Sequence, residues 1–109
     1  MTTNELTPED LAAITEIDRL VHQPARLSIL ALLYVVESAG FLYVKRQTGL
    51  TQGNLSSHVS KLESAGYVEV NKEFVEKTPR TLLRLTVRGR EAFQAYRQRM
   101  QQVLDGLPE

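Results

Sequence analysis

A chain of 109 residues fits one domain with a modest core, and its 42% apolar content is ordinary for a globular protein. With no cysteine, disulfides, thiolate metal sites and cysteine nucleophiles are excluded, which suits a reducing compartment. Thirteen basic residues balance thirteen acidic ones, so the total alone points to no charged partner, but the distribution is uneven. Between residues 1 and 23, Glu5, Glu9, Asp10, Glu16 and Asp18 stand against Arg19 alone. Between 41 and 66, Lys45, Arg46 and Lys61 outweigh Glu63. From 77 to 99, Lys77, Arg80, Arg84, Arg88, Arg90, Arg97 and Arg99 face only Glu91. An acidic start is followed by a basic second half.

The longest apolar run, Ile29 to Val36, is too short to span a bilayer and reads as a buried core segment. Met1-Thr2-Thr3-Asn4-Glu5 lacks the basic start and apolar stretch of a secretory signal. A soluble cytoplasmic protein is expected, with no membrane partner.

In chain order, Thr7-Pro8-Glu9-Asp10 starts a helix, with Thr7 as cap, Pro8 in the first turn and acids at the positive end. Leu11, Ile14, Ile17 or Asp18, and Val21 follow at helical spacing, and His22-Gln23-Pro24 ends the helix. Pro24 opens a second helix to about Ser38, apolar almost all round and therefore central, with Gly40 as its expected C-terminal cap. Phe41-Leu42-Tyr43 reads as a short extended piece, and Val44 to Thr48 as one or two helical turns stopped by Gly49. Thr51 caps a helix from about Gln52 to Ala65 with Leu55, Val59 and Leu62 buried and Gly66 as terminator. A hairpin follows: Tyr67 to about Phe74 places Val68, Val70 and Phe74 on one side, and Thr81 to Thr86 places Leu83 and Leu85 inward. The polar stretch 76–80 turns between them. Thr86 caps a last helix from Val87 to about Leu104, with Phe93, Tyr96, Met100, Val103 and Leu107 at heptad-like spacing.

The fold class expected is mainly α with a small β-hairpin (α+β), a single domain over 1–109 in the order α-α-β-α-α-β-β-α. A short helix, a turn at Gly49 and a longer polar-faced helix make a helix-turn-helix, and a basic-tipped hairpin beside it makes a winged helix. Such a helix fits the major groove of DNA, where short polar side chains reach base edges and phosphates. The hairpin can place Lys or Arg in the adjacent minor groove or on the backbone.

Two runs, "LTQGNLSSHVSKLESAGYVEV" and "KTPRTLLRLTVRGREAF", resemble the core of small stand-alone winged-helix transcriptional regulators of the MarR and ArsR type, over about residues 24–95. The most specific parts are T-x-G-x-L-S-x-H-x-x-x-L-E-x-x-G-Y-V and the P-R-x-x-x-x-L-T-x-x-G-R exit from the wing. The resemblance implies a homodimer on pseudo-palindromic operator DNA, recognition helix 52–65 in the major groove and wing 74–81 on the adjacent minor groove or backbone. It makes Gln52, Asn54, Ser56, Ser57, Ser60 and Lys61 the exposed DNA-facing residues. Thr51 then lies near a phosphate, Lys77 and Arg80 are wing-tip contacts, and Lys45 and Arg46 touch the backbone. Gln52 and Asn54 carry the amides that suit adenine edges, whereas Lys61 suits a phosphate.

The seam of the last helix can fold back on its own domain or pair with a second copy. The preferred reading is a dimer interface from segments 1–22 and 87–107, carried by Leu11, Ile14, Val21, Phe93, Tyr96, Met100, Val103 and Leu107. His58, at the edge of the buried stripe, reads as a structural hydrogen-bonding histidine. Arg84, Arg88 and Arg90 read equally as salt-bridge partners or phosphate contacts. His22 and His58 have no neighbouring ligand set, so neither metal nor cofactor is expected, and any small-molecule effector is left undefined. The competing class is a winged helix used for protein contacts without sequence-specific DNA binding. An enzyme is not expected, since no phosphate-cradling glycine loop, metal spacing or Ser–His–Asp logic is present.

Overall fold

The structure, a computed structural model, describes residues 6–108, so the reading of Met1 to Glu5 lies outside the described residues. The elements are α1 (Pro8–Thr15), α2 (Pro24–Val36), β1 (Ser38–Gly40), α3 (Phe41–Thr48), α4 (Gln52–Ser64), β2 (Val68–Val75), β3 (Thr78–Leu85) and α5 (Val87–Gly106). Their order is the expected one.

Thr7 and Asp10 form a reciprocal capping box at the start of α1. The helix then stops at Thr15 instead of running on to His22. Asp18 is the cause: its Oδ1 accepts from the amides of Leu20 and Val21, a local alternative to the helical ladder. Ile17 and Val21 still reach the core from this turn. Gln23 caps α2 by accepting from the Arg26 amide at 2.9 Å, and α2 delivers the fully buried Ile29, Leu30 and Leu33.

The junction after α2 differs from expectation. The chain leaves α2 through Glu37 in a positive-φ conformation (φ 69°), and Gly40 is extended (φ −68°), serving as N-cap of α3 rather than C-cap of α2. Phe41-Leu42-Tyr43, expected to be extended, forms the first turn of α3. The strand is Ser38–Gly40, which pairs with Leu82, Leu83 and Arg84 of β3. Pairing with a strand some forty residues away decides this stretch, not local propensity.

The three strands form an antiparallel sheet in the order β1-β3-β2. The hairpin is longer than expected because its connection is a two-residue turn, Glu76 and Lys77, both at positive φ (52° and 68°), as tight hairpins require. Thr78, Pro79 and Arg80 therefore belong to β3. Pro79 is tolerated because β1 covers only residues 82–84 of that strand, leaving its outer edge unpaired at the tip. Thr86 caps α5 by accepting from the Gly89 amide and donates to the Gly66 carbonyl at 2.6 Å, joining the start of α5 to the end of α4. Gly89 has no room for a side chain: a Cβ there would overlap the Tyr67 carbonyl. Residues of α2, α3, α4, the sheet and α5 meet in one apolar core, and α1 lies along α5 with Gln102 donating to Asp10 at 3.1 Å.

Candidate nucleic-acid interface

Helix α4 is built as expected. Thr51 accepts from the Asn54 amide, Leu55, Val59 and Leu62 are buried, and Gly66 leaves the helix at φ 80°. Gly49, at φ 73°, closes α3 and turns the chain into α4. Thr51, Gln52, Asn54, Ser56, Ser57, Ser60 and Lys61 are all exposed, as is Arg46, while Lys45 is half-buried.

The helical repeat sorts the exposed residues, at about 100° per residue. Gly53, Ser57, Ser60 and Ser64 point away from the buried stripe. Gln52, Ser56, Ser60 and the acidic Glu63 line a 380 Å³ groove between α4 and the wing, whose other wall is Val70, Lys72, Thr81 and Leu83. Asn54 and Lys61 lie on the opposite flank. Gln52 and Asn54 are thus about 200° apart around the axis and do not form one amide pair. Gly53 and Lys72 were missed by sequence reasoning. Helical phase places Gly53 at the middle of the outward face, and strand alternation places Lys72 between the core residue Val70 and the tip.

The far flank of α4 is tied to α2. Arg26 donates to the Leu20 carbonyl through Nε at 2.6 Å, and its Nη1 stands 3.2 Å from His58 Nδ1. Since guanidinium only donates, Nδ1 accepts and the ring is neutral. Burial first, and then the charges of Arg26 and Lys61, hold the His58 pKa below its ordinary value. The expected structural role of His58 therefore has a partner. His22 Nδ1 lies 2.9 Å from the Tyr96 hydroxyl, so both histidines make side-chain hydrogen bonds within the fold. Below α4, the Tyr67 hydroxyl donates to Asp18 Oδ2, and burial together with that carboxylate pushes Tyr67 up to about 12.

The basic residues of the second half divide. Lys77 occupies the wing turn, and Arg80 lies on the hairpin face away from α4, cross-strand from Glu73 and with its guanidinium beside Gly40. Arg88 lies over the Tyr67 ring at 6.0 Å, and Arg90 and Arg97 over the Tyr34 ring at 4.5 and 5.8 Å. Those three serve packing around α5, Arg88 against the exit of α4 at Gly66 and Tyr67 and the other two against α2. Among the residues expected at a dimer surface, Val21, Tyr96 and Val103 are buried within the chain's own fold, and Phe93 and Met100 pack against its core. The seam of α5 therefore does fold back on its own domain. Apolar surface remains at Leu11 (50% exposed), Ile14 (44%), Leu104 (56%) and Leu107 (43%), the last just beyond the helix. Among the described residues no group of His, Asp and Glu could hold a metal ion, and no helix is long and apolar enough to cross a membrane.

A helix-turn-helix whose second helix presents an open polar face, flanked by a projecting antiparallel hairpin, defines a winged helix of the DNA-binding type. The chain belongs to the winged helix DNA-binding domain family, whose profile it matches over residues 25–104. It is similar to an uncharacterized protein of Methanocaldococcus jannaschii, 40% identical over 78 residues that make up 72% of this chain and 85% of that one. A solved transcriptional regulator homologue from Pyrococcus horikoshii OT3 is 32% identical with a TM-score of 0.82, covering 90% of this chain and 96% of that chain. A MarR-family regulator from Silicibacter pomeroyi shares the fold, with a TM-score of 0.58 at 18% identity over 89% of this chain and 62% of that longer one. This is a family of DNA-binding transcriptional regulators and not of enzymes.

Proposed function

We propose that the protein is a homodimeric regulator that binds pseudo-palindromic operator DNA, with residues 52–65 in the major groove and the wing, 74–81, on the adjacent minor groove or backbone. The observation that carries this reading is the outward face of α4. It holds Gly53, Ser57, Ser60 and Ser64, small residues that let the helix enter a groove, with the basic Lys61 on the flank beside it. Gln52 and Ser56 would read bases from the wing side of the helix, and Asn54 from the other. Thr51 brings the helix N-terminus to a phosphate, and Lys45, Arg46, Lys61, Lys77 and Arg80 contact the backbone. One such domain reads one half-site, and the exposed apolar residues of α1 and the end of α5 support pairing with a second copy. A protein that works on DNA in this way belongs in the cytoplasm.

Selection of bound duplexes from a random library, with the mass of the complex measured, tests site, symmetry and stoichiometry together. The expected result is a two-fold symmetric site bound by two chains, with affinity falling steeply as salt rises because bound counterions are released. Lys61→Ala and Arg80→Ala should each weaken binding and flatten that salt dependence by about one charge per chain, about two for the dimer. An asymmetric site bound by one chain would remove the dimer. No DNA affinity together with a stably co-purified protein would favour a protein-docking role.

A further inference from the structure

The face of the hairpin that begins with the core residues Val68 and Val70 continues outward through Lys72 to Phe74, opposed across the strands by Thr81 and Pro79. Lys72 and Thr81 line the groove beside α4. Phe74 and Pro79 form the next row, about 7 Å farther from the core at two strand residues. There Phe74 is 76% exposed, so its ring buries little within the protein. A scattered exposed apolar residue is common on any protein. This one is distinguished by where it is and how firmly it is held. It stands on the α4 side of the wing, cross-strand from a proline and one pair short of the tight turn at Glu76 and Lys77, on an arm with strand pairing to its last row.

We propose that Phe74, backed by Pro79, is an apolar contact to the minor groove of bound DNA, an inference that rests on the DNA-binding reading above. With α4 in the major groove, the phosphate strand that separates the two grooves crosses the Lys72–Thr81 row. Lys72 neutralises a phosphate there, and the Phe74 ring reaches past it to the sugar edges and a base step. Apolar side chains grip the minor groove in this way, and they favour steps that unstack easily. Phe74 then contributes affinity without charge and biases the sequence flanking the major-groove contacts. Glu73 is kept from the phosphates because alternation turns it to the other face, opposite Arg80.

The chain has no tryptophan, so Phe74→Trp supplies a single fluorescent reporter at the tip. It is titrated with a short duplex recovered by selection on the wild-type protein, and with a mixed-sequence duplex of equal length at low salt. The expected result is protection of the introduced indole from acrylamide quenching on binding. Phe74→Ala should bind the selected duplex about tenfold more weakly with an unchanged slope of log affinity against log salt. Lys72→Ala should lower that slope by about one per chain, about two for the dimer. Both Phe74 variants should unfold at the wild-type temperature, since the ring packs against nothing that holds the fold. DNA binding that leaves the indole as accessible as in free protein would overturn the proposal while leaving the DNA reading intact, as would unchanged affinity of Phe74→Ala. Protection that follows protein concentration without DNA would assign the ring to a contact between copies and overturn it too. Wild-type protein that binds neither duplex would bring down the DNA reading, and this inference with it.

Discussion

Helices α4 and α5 are both amphipathic and both anchored by apolar stripes, yet their polar residues differ in how many partners they find within the protein. On α5, Arg90 lies over the Tyr34 ring, Gln94 donates to the Tyr34 hydroxyl at 3.0 Å, Gln101 to Asp105 at 2.7 Å and Gln102 to Asp10 at 3.1 Å. On α4, the side-chain hydrogen bonds among the described residues are those of the Thr51 cap and of His58 on its far flank. Ser56, Ser57, Ser60 and Lys61 are exposed, with their hydrogen-bonding groups open to solvent. Polar residues that finish a protein's own surface find neighbours along it. Those of the α4 face are left without such neighbours, which is the condition that the DNA-binding proposal requires of them.

The comparison breaks most sharply under steric load. Gly89→Ala, on the packed side, forces a methyl into the Tyr67 carbonyl and the Leu85 side chain. It should destabilise the fold by about 3 kcal/mol, the upper end for overpacking, read as a lowered urea midpoint. A change below about 0.5 kcal/mol would mean that the junction of α5 and β2 is not tightly packed. Ser57→Glu, at the centre of the open face, should leave that midpoint within about 0.5 kcal/mol of wild type, as exposed substitutions do. The same change sets a carboxylate against phosphates and should weaken DNA binding about a hundredfold, since like charges brought together cost several kcal/mol. Loss of stability in Ser57→Glu would show that the α4 face serves the fold after all.

Much of this was legible in the sequence because it rests on local chemistry. Thr7, Thr51 and Thr86 cap their helices through their own side chains, and Gly49 and Gly66 supply the positive φ that ends α3 and α4. What was not legible depends on partners distant in the chain. Ser38–Gly40 is a strand only because β3 lies beside it, and the end of α1 depends on Asp18, whose other oxygen is held by Tyr67 forty-nine residues on. Charge counting does not separate the wing residues Lys77 and Arg80 from Arg88, Arg90 and Arg97, which lie over aromatic rings far from the wing tip. Residue type grouped Gln52 with Asn54, although helical phase sets them on opposite flanks. Alternation sets Phe74 on the side of Val68 and Val70 but says nothing of depth, and near the tip the ring is exposed.

Gly53 sharpens the comparison with effects of opposite sign. It lies in the first turn of α4 on the outward face, and a Cβ added there meets nothing within 4 Å. The fold gains nothing from a glycine at this position, and glycine in a helix costs up to about 1 kcal/mol relative to alanine. Gly53→Ala should therefore raise the urea midpoint by an amount corresponding to about 0.5–1 kcal/mol. If the helix backbone approaches DNA closely here, the added methyl should weaken operator binding roughly threefold to tenfold. Stabilisation without loss of affinity would move the contact along α4, toward Ser57 and Ser60.

The smallest expected effect lies on the flank where α4 is tied down. His58 accepts from Arg26 only while its ring is neutral, and burial followed by the Arg26 and Lys61 charges holds its pKa below the ordinary 6.5. The unfolded chain thus takes up this proton more readily than the folded one. The contribution of His58 to stability is full above its ordinary value and is lost as pH falls through the folded value. His58→Gln can keep an acceptor facing Arg26 but does not titrate. Carboxylates elsewhere titrate in both proteins, so the quantity to read is the difference between their urea midpoints at about pH 7.5 and about pH 5. Wild type should lose more stability than the variant over that interval, and equal losses would uncouple His58 from the fold. Because this residue joins α2 to α4, an acid-sensitive bond here loosens the flank of α4 that, among the described residues, carries side-chain hydrogen bonds, while leaving its open face chemically unchanged.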